Sequence, residues 1–180
     1  MSGAATHRSE YHVLIRRLFQ SHSAVALVAG PGQRTGDICE GIAAELAASG
    51  RRVVLVRVDA LLAMNPLPIP DESACAPGRA PNIWLWPSTA GAQVEFFKAS
   101  APALAAGDWL DSLRRNFDSV LLDCPAVDTV AGGAEVASKA DAAVLAVEAG
   151  RAPKQQIQRC QRALQSSGVK LAGCILIGRR

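Results

Sequence analysis

Residues 24–59 combine the residue types of a phosphate-binding loop with substitutions at its reactive positions. An apolar strand runs into the Gly-Pro-Gly turn of residues 30–32, and an amphipathic helix and a second apolar strand follow. A strand, a glycine turn and a helix N-terminus together direct backbone N–H groups at an anion. Where such a loop carries Gly-Lys-Ser/Thr, this chain carries Arg34, Thr35 and Gly36. The pattern predicts a scaffold for nucleotide binding that lacks most of its chemistry.

Two aspartates follow apolar strands and could hold a metal ion. Asp59 comes after VVLVRV, and Asp123 ends the run FDSVLLD. In open parallel sheets, ligands bind at the carboxyl ends of the strands. A carboxylate at such an end can hold the water shell of Mg²⁺. An aspartate there is equally often a helix cap or a turn residue, so Asp123 alone does not decide between these roles.

The length and composition of the chain are those of one globular domain. The chain has 180 residues, 49% of them hydrophobic and 19% charged, which suits a single core. We expect an N-terminal helix and lead-in over residues 1–23 and one domain over residues 24–180. The net charge of +3 is small and the basic residues are scattered, which argues against nucleic-acid binding. The polar N-terminus and the short apolar runs predict no signal peptide and no direct membrane insertion.

The five cysteines are widely spaced and form no Cys-x-x-Cys or Cys/His cluster. Zinc and redox motifs are therefore not supported. Four of the cysteines fall in apolar runs and are expected to be buried free thiols: Cys39, Cys124, Cys160 and Cys174. Free thiols predict a reducing, cytoplasmic compartment.

Short apolar runs alternate with helical patterns along the whole chain, which predicts an α/β fold. The fold class expected is a doubly wound, mainly parallel sheet with helices on both faces. Several strands, including the last one with its run ILI, are apolar on both faces and are expected to be buried parallel strands. The predicted strands are Ala24–Ala29, Val53–Val58, Ile83–Trp86, Ser119–Asp123, Ala142–Val147 and Ala172–Ile177. Residues 62–82 are rich in proline and predict a long loop, either a disordered insertion or a partner contact.

Taken together, these segments resemble the bacterial tyrosine kinase branch of the MinD/ParA-like P-loop ATPases, which serve capsule and exopolysaccharide assembly. Pro31-Gly32-Gln33 aligns with the Pro-Gly-Glu of that family's P-loop. NIWLWPSTAG is similar to its strand ending in Leu-Pro-Ala-Gly, and FDSVLLDCPAV to its Walker B strand. ADAAVLAVEAG and KLAGCILI match its last two strands. The resemblance covers roughly residues 10–177 and implies the P-loop NTPase-like fold of the MinD/ParA type.

The resemblance also shows which functional residues are missing. Thr35 stands at the position of the P-loop lysine, and Gly36 at that of the Mg²⁺-binding hydroxyl. Asp37 would place a negative charge at the helix N-terminus, and Arg57 replaces the first Walker A′ aspartate. Arg34 lies one position early for the lysine, and a guanidinium does not reproduce the geometry of an ammonium. The resulting candidate nucleotide-binding positions are Gly30, Gly32, Arg34, Thr35 and Gly36.

The family's opening helix carries a Glu-x-x-Arg-x-x-Arg motif that joins subunits into a ring. The predicted helix over residues 10–21 has Glu10 and Arg16 in that register, with Arg17 adjacent. An ordinary solvated helix face would look the same. If the motif works, it predicts a homo-oligomer or mixed assembly with an active kinase paralogue or with the cytoplasmic part of a membrane polysaccharide co-polymerase. The chain would then lie at the inner membrane through that partner.

Three functions follow as hypotheses. In the first, the chain is a catalytically inactive relative of the kinases, a cytoplasmic adaptor or regulator that needs no ATP, ADP or Mg²⁺. In the second, it is a divergent ATPase or kinase in which Asp59 and Asp123 hold Mg²⁺. In the third, the loop over residues 30–36 senses a less charged anion without metal; Arg34 favours an anion there and Asp37 opposes a phosphate-rich one.

Overall fold

A computed structural model describes residues 13–14, 17–64, 74–88, 108–127, 132–150 and 152–178. Seven strands lie in this part of the chain: β1 (Ala24–Ala29), β2 (Val53–Arg57), β3 (Ala76–Pro77), β4 (Ile83–Trp86), β5 (Ser119–Cys124), β6 (Ala142–Glu148) and β7 (Leu171–Ile177). The helices are α1 (Gly36–Ala48), α2 (Val58–Ala63), α3 (Asp108–Asn116), α4 (Gly133–Ala137) and α5 (Lys154–Ser166).

The strands form a single sheet in the order β3-β4-β2-β5-β1-β6-β7. Every neighbouring pair is parallel except β3 with β4, which is antiparallel. β1 lies between β5 and β6, with Leu27 opposite Asp123 on one side and Val144 on the other. This register brings the ends of β1, β5 and β6 together at one edge, which is where the loop after β1 begins.

Two hydrophobic cores cover the two faces of the sheet. On one face, α1 packs through Ile42 and Leu46, together with Leu18 and Phe19 of the lead-in. On the other face, side chains of α3, α4 and α5 pack against alternate residues of β1, β2, β5 and β6. Because successive strand residues point to opposite faces, a strand buried on both sides must be apolar throughout, as β1 and β6 are. The predicted doubly wound fold is confirmed.

The segment after β2 differs from the sequence prediction in two places. β2 ends at Arg57, and Val58 begins the short helix α2 instead of ending the strand. The predicted loop over residues 62–82 contains the end of α2 and the two-residue strand β3, which pairs with β4. Both α2 and β3 are too short to produce a recognisable periodic pattern of apolar residues in the sequence. Residues 65–73 of that loop lie outside the described residues.

The prediction that β7 is buried on both faces is wrong. β7 is the edge of the sheet, and its side chains are exposed or half-buried, with Leu176 70% exposed. For the same reason the prediction of a buried Cys174 is wrong, since its thiol is exposed. The other three cysteines of that prediction, Cys39, Cys124 and Cys160, are buried free thiols as expected.

The predicted opening helix is described only in part. Val13, Leu14, Arg17 and Leu18 are helical, and Arg17 is exposed. Glu10 and Arg16 of the predicted interface lie outside the described residues, so the subunit motif stays a prediction. No helix in the described part of the chain combines the length and apolar character needed to cross a membrane.

Candidate functional site

The loop after β1 starts with a closed turn. The N–H of Gln33 donates to the carbonyl of Gly30 at 3.0 Å, with Pro31 and Gly32 between them. Gly32 has φ +69°, which suits the third position of a type II turn, where glycine is favoured, and proline is common at the second. One loop amide that could face an anion is therefore used inside the turn.

Gly30 is needed for close packing against β6. Its N–H donates to the carbonyl of Ala146 at 2.8 Å. A Cβ at Gly30 would lie 2.6 Å from that carbonyl oxygen and 3.2 Å from Cγ2 of Val147. This glycine therefore has a structural role that is independent of any ligand.

Thr35 and Asp123 meet at the start of α1. Thr35 is the N-cap residue of the helix, is 3% exposed, and donates its hydroxyl hydrogen to Oδ1 of Asp123. Asp123 comes from the carboxyl end of β5, 88 residues further along the chain. Gly36 is close by, since a Cβ there would lie 3.6 Å from Oδ2 of the same carboxylate. The structure thus joins two of the predicted site residues directly.

Burial raises the pKa of Asp123 above its ordinary value, and the negative charge of Asp59 raises it further. Hydrogen bonds from Thr35 and from the thiol of Cys39 act in the opposite direction, as does the positive charge of Arg57. The Cys39 thiol is fully buried, and burial, followed by the Asp123 charge, raises its pKa well above the ordinary value. The Asp123 carboxylate is thus hydrogen-bonded to one side chain of α1, Cys39, and to the side chain of its N-cap residue, Thr35.

Cys39 is a contact of this carboxylate that the sequence does not predict. Cys39 lies four residues after Thr35, and residues four apart lie on the same face of a helix. That spacing was the available signal, but the choice of Asp123 as the partner depends on the β1–β5 pairing and could not be read from it.

Asp59 and Arg57 stand at the junction of β2 and α2. The carboxylate of Asp59 accepts the N–H of Ala60 at 2.8 Å and lies 3.9 Å from a guanidinium nitrogen of Arg57. Both side chains are at least half exposed, so this ion pair adds little stability. The substitution of arginine for the first Walker A′ aspartate therefore places a positive charge beside the remaining one.

Glu148 reaches the loop from the end of β6. Its Oε2 accepts a hydrogen bond from the side-chain amide of Gln33 at 2.7 Å. This contact ties the segment after β6 to the loop after β1 at the carboxyl edge of the sheet.

The charged residues at the mouth of the loop point to solvent. Arg34 and Asp37 are both exposed, and Asp37 lies in the first turn of α1. A carboxylate there interacts favourably with the positive end of the helix, the place that a phosphate would take. The site therefore offers a half-buried, hydrogen-bonded carboxylate and two solvated guanidiniums, those of Arg34 and Arg57, and residues 30–36 include no ammonium group.

A separate cavity of about 510 Å³ lies beside α1, between it and the edge of β4. Its floor is apolar and includes Leu55, Ile83 and Leu85, and Asp37 and Glu40 stand at its rim. An ion pair of 3.1 Å joins Glu40 to Arg79 there. Neither Thr35 nor Asp123 lines this cavity, which adjoins the loop site at Asp37.

Comparison with known proteins shows related kinases. No protein-family model matches the chain. The tyrosine-protein kinase CpsD of Streptococcus pneumoniae serotype 4 is 32% identical over 69 residues, which are 38% of this chain and 30% of that protein. CpsD of Streptococcus agalactiae is 30% identical over 67 residues, or 37% of this chain and 29% of that protein. The match therefore spans less than a third of these curated relatives.

Solved structures agree in fold over nearly the whole chain. The kinase domain of the Escherichia coli tyrosine kinase ETK superposes with a TM-score of 0.72 at 15% identity, covering 98% of this chain and 76% of that domain. The BceF tyrosine kinase domain gives 0.70 at 19% identity, covering 97% and 76%. The cell division ATPase MinD of Pyrococcus furiosus gives 0.66 at 18% identity, covering 86% and 71%. The chain is thus similar to tyrosine-protein kinases over 38% of its length, and it has the P-loop ATPase fold that the ETK and BceF kinase domains share with MinD.

Proposed function

We propose that this chain is a catalytically inactive relative of the bacterial tyrosine kinases that acts as an adaptor or regulator in capsule or exopolysaccharide production. One observation carries the proposal. The residue aligned with the P-loop lysine is Thr35, and its hydroxyl is bonded to Asp123, the residue aligned with the Walker B aspartate. This hydrogen bond joins two side chains whose positions, in the kinases, bind the nucleotide and its metal ion.

The remaining groups do not fit a magnesium nucleotide. Each charge-assisted contact to a phosphate is worth about 1.5–3 kcal/mol, and the lysine and the metal-binding hydroxyl are both replaced. Asp37 adds a repelling charge at the helix N-terminus, and the N–H of Gln33 is used by the turn. Each lost stabiliser of transition-state charge also costs around 10²–10³ in rate. We therefore propose that the protein does not transfer phosphoryl groups.

The adaptor role rests on the fold and on the relatives. A rigid sheet with closely packed loops can present helix faces and loops for assembly without turnover. The curated relatives are named as tyrosine-protein kinases. By resemblance, the proposed partner is an active kinase paralogue or the cytoplasmic part of a polysaccharide co-polymerase, contacted through the helix that carries Arg17. We propose that the protein is cytoplasmic and is held at the inner membrane by this partner.

The proposal is tested by assaying the purified protein for ATP hydrolysis and autophosphorylation, with a bacterial tyrosine kinase domain such as that of ETK as the positive control. We expect activity indistinguishable from a protein-free blank. Turnover above that blank would contradict the proposal. Binding of the purified cytoplasmic segment of a co-polymerase, weakened by Arg17→Glu but not by the exposed control substitution Arg115→Glu, would support the adaptor role.

One observation favours a second candidate, a divergent ATPase or kinase. Asp59 lies close enough to Asp123 for its charge to raise the pKa of Asp123, so two carboxylates do converge at the edge of the sheet. Mg²⁺ commonly uses one or two protein carboxylates and keeps several waters. If the protein has activity, the double substitution Asp59→Ala and Asp123→Ala should abolish it. Activity that survives this change would refute the assignment of these residues.

A further inference from the structure

The loop over residues 30–36 is joined to β6 at two points. The N–H of Gly30 donates to the carbonyl of Ala146 at 2.8 Å. The side-chain amide of Gln33 donates to a carboxylate oxygen of Glu148 at 2.7 Å, although these two residues lie 115 positions apart in the sequence. Because the acceptor is a carboxylate, the second hydrogen bond is charge-assisted and stronger than one between neutral groups. The loop is thus held on its β6 side by one main-chain and one side-chain contact.

The same loop is joined to β5 through Thr35. The hydroxyl of this buried side chain donates to the carboxylate of Asp123, at the carboxyl end of β5. An N-cap threonine normally accepts a hydrogen bond from an N–H of the first helical turn. Thr35 is the N-cap residue of α1 but its side chain makes no such bond. Its hydroxyl therefore joins the start of α1 to β5 and does not cap the helix.

The two side-chain contacts hold the loop from opposite sides, because β1 lies between β5 and β6. We call the hydrogen bonds Gln33–Glu148 and Thr35–Asp123 the loop bridges. The side chain of Arg34, between the two donors, is exposed. In GTPases, switch segments are ordered by contacts to the γ-phosphate and Mg²⁺ and are released on hydrolysis. In this chain, protein side chains supply the contacts that order the loop.

We propose that the loop bridges hold the loop over residues 30–36 in one conformation whether or not a nucleotide is present. Each bridge joins the loop to a strand that is almost wholly buried, β5 or β6, so its anchor is rigid. A partner that contacts this edge of the sheet therefore meets the same surface at any nucleotide concentration. This inference goes beyond the proposed function and does not rest on it, because it concerns the conformation of the loop and not phosphoryl transfer.

Amide hydrogen exchange, measured by NMR on the full chain without nucleotide, tests the bridge to β6. The reporter is the N–H of residue 33, which is bonded to the carbonyl of Gly30, with its rate corrected for residue type. Gln33→Glu places a second carboxylate against Glu148 and should raise the exchange rate about tenfold or more. Combining Gln33→Glu with Glu148→Gln restores a donor and an acceptor in reversed order, so the rate should return to that of wild type.

The matched control for this bridge is Gln158→Glu, on the exposed surface of α5. It makes the same charge change and should leave the exchange rate of the Gln33 N–H unchanged. An unprotected Gln33 N–H in the wild type would overturn the proposal. A double variant that exchanges as fast as Gln33→Glu would overturn it too, since the restored hydrogen bond would then have no effect on the loop.

A second pair of variants tests the bridge to β5. Thr35→Val keeps the size and branching of the side chain but removes the hydroxyl, and it should raise the exchange rate of the Gln33 N–H about tenfold. Thr35→Ser keeps the hydroxyl and should exchange at a rate close to that of wild type. Equal rates in the two variants would overturn the proposal, because it requires both loop bridges.

The same measurement with ATP and Mg²⁺ separates this inference from the proposed function. We expect the exchange rate of the Gln33 N–H to stay unchanged, and a clear fall in that rate would overturn the proposal, since the nucleotide would then order the loop. Calorimetric binding of ATP at an unchanged exchange rate would support the loop bridges and contradict the proposed inactivity. An unprotected loop in a chain that binds no nucleotide would overturn the loop bridges and leave the proposed inactivity supported.

Discussion

Replacing the glycines of the 30–36 loop by alanine should change the free energy of unfolding in a defined order. The three positions differ in what a methyl group would meet. At Gly30 it would lie 2.6 Å from the carbonyl oxygen of Ala146, at Gly32 it meets nothing within 4 Å, and at Gly36 it would lie 3.6 Å from Oδ2 of Asp123. The three substitutions therefore test different properties: close packing at Gly30, positive φ at Gly32 and helix propensity at Gly36.

The magnitudes follow from these distances. Gly30→Ala forces β1 and β6 apart, which costs about 1–3 kcal/mol as overpacking. It also weakens the 2.8 Å hydrogen bond between Gly30 and Ala146, for a total of about 2–4 kcal/mol. Gly32→Ala should cost about 1 kcal/mol, since the strain of a positive φ is partly offset by the lower entropy of the unfolded chain. Gly36→Ala should stabilise the protein by about 0.5–1 kcal/mol, because alanine is the better helix former.

The assay is urea unfolding followed by far-ultraviolet circular dichroism, with all four proteins measured at the same pH. The predicted order of stability is Gly36→Ala, wild type, Gly32→Ala and Gly30→Ala, from highest to lowest. The reasoning would be refuted if Gly30→Ala were no less stable than Gly32→Ala. It would also be refuted if Gly36→Ala lost more than about 1 kcal/mol, since an ordinary van der Waals contact predicts no such loss.

Three further predictions concern ionisable groups. Because the pKa of Asp123 is raised in the folded state, the stability that its protonated carboxyl contributes is present at low pH and is lost as pH rises through that pKa. Asp123→Asn should therefore gain stability relative to wild type between pH 4 and pH 7, as measured by urea unfolding. A stability difference between the two proteins that does not change with pH would contradict this. Although burial raises the pKa of Asp141, hydrogen bonds from backbone amides and the Arg114 guanidinium at 2.6 Å lower it overall. The stability contributed by the ionised Asp141 carboxylate is present at neutral pH and is lost on acidification. Asp141→Asn should therefore lower the free energy of unfolding by about 1–2 kcal/mol at pH 7 and by less at pH 3, and an equal loss at both pH values would refute this prediction. In native thiol labelling followed by peptide mapping, the exposed Cys174 should react well before Cys39, whose burial raises its pKa; equal rates would contradict the described burial.

The sheet was largely predictable from local patterns. The predicted bounds of β1 and β4 are those of the structure, and those of the other four predicted strands differ by one residue at one end. Both ends of α5 also carry local signals, because a proline such as Pro153 suits a helix start and Gly168 adopts φ +76° after the helix end. Long apolar runs and strong stop signals carry this information within a few neighbouring residues.

Lateral position in the sheet was not predictable from composition. An apolar strand has the same sequence pattern whether it lies in the centre or at the edge of a sheet, so this pattern predicts that β7 and Cys174 are buried. Strand order is set by pairing between distant segments, and β7 is the last strand in it. The contacts of Asp123 with Thr35 and Cys39 also depend on pairing between distant segments, so local patterns do not predict them.

At the candidate site, the sequence pattern predicts residues but not their contacts. Thr35 was understood only as the loss of a lysine, whereas the structure shows that its hydroxyl bonds to Asp123. The partner is fixed by the β1–β5 register, which places Leu27 opposite Asp123. Spacing within the loop carries no information about that register.

The proposed inactivity requires that the loop over residues 30–36 hold no nucleotide. Calorimetric titration with ATP and with ADP, each with and without Mg²⁺, measures this. We expect no binding heat at protein concentrations able to detect a Kd near 1 mM, which corresponds to about −4 kcal/mol. Micromolar binding that requires Mg²⁺ would contradict it and favour an enzyme that uses Asp59 and Asp123. Binding without metal would contradict it as well and would favour an anion sensor.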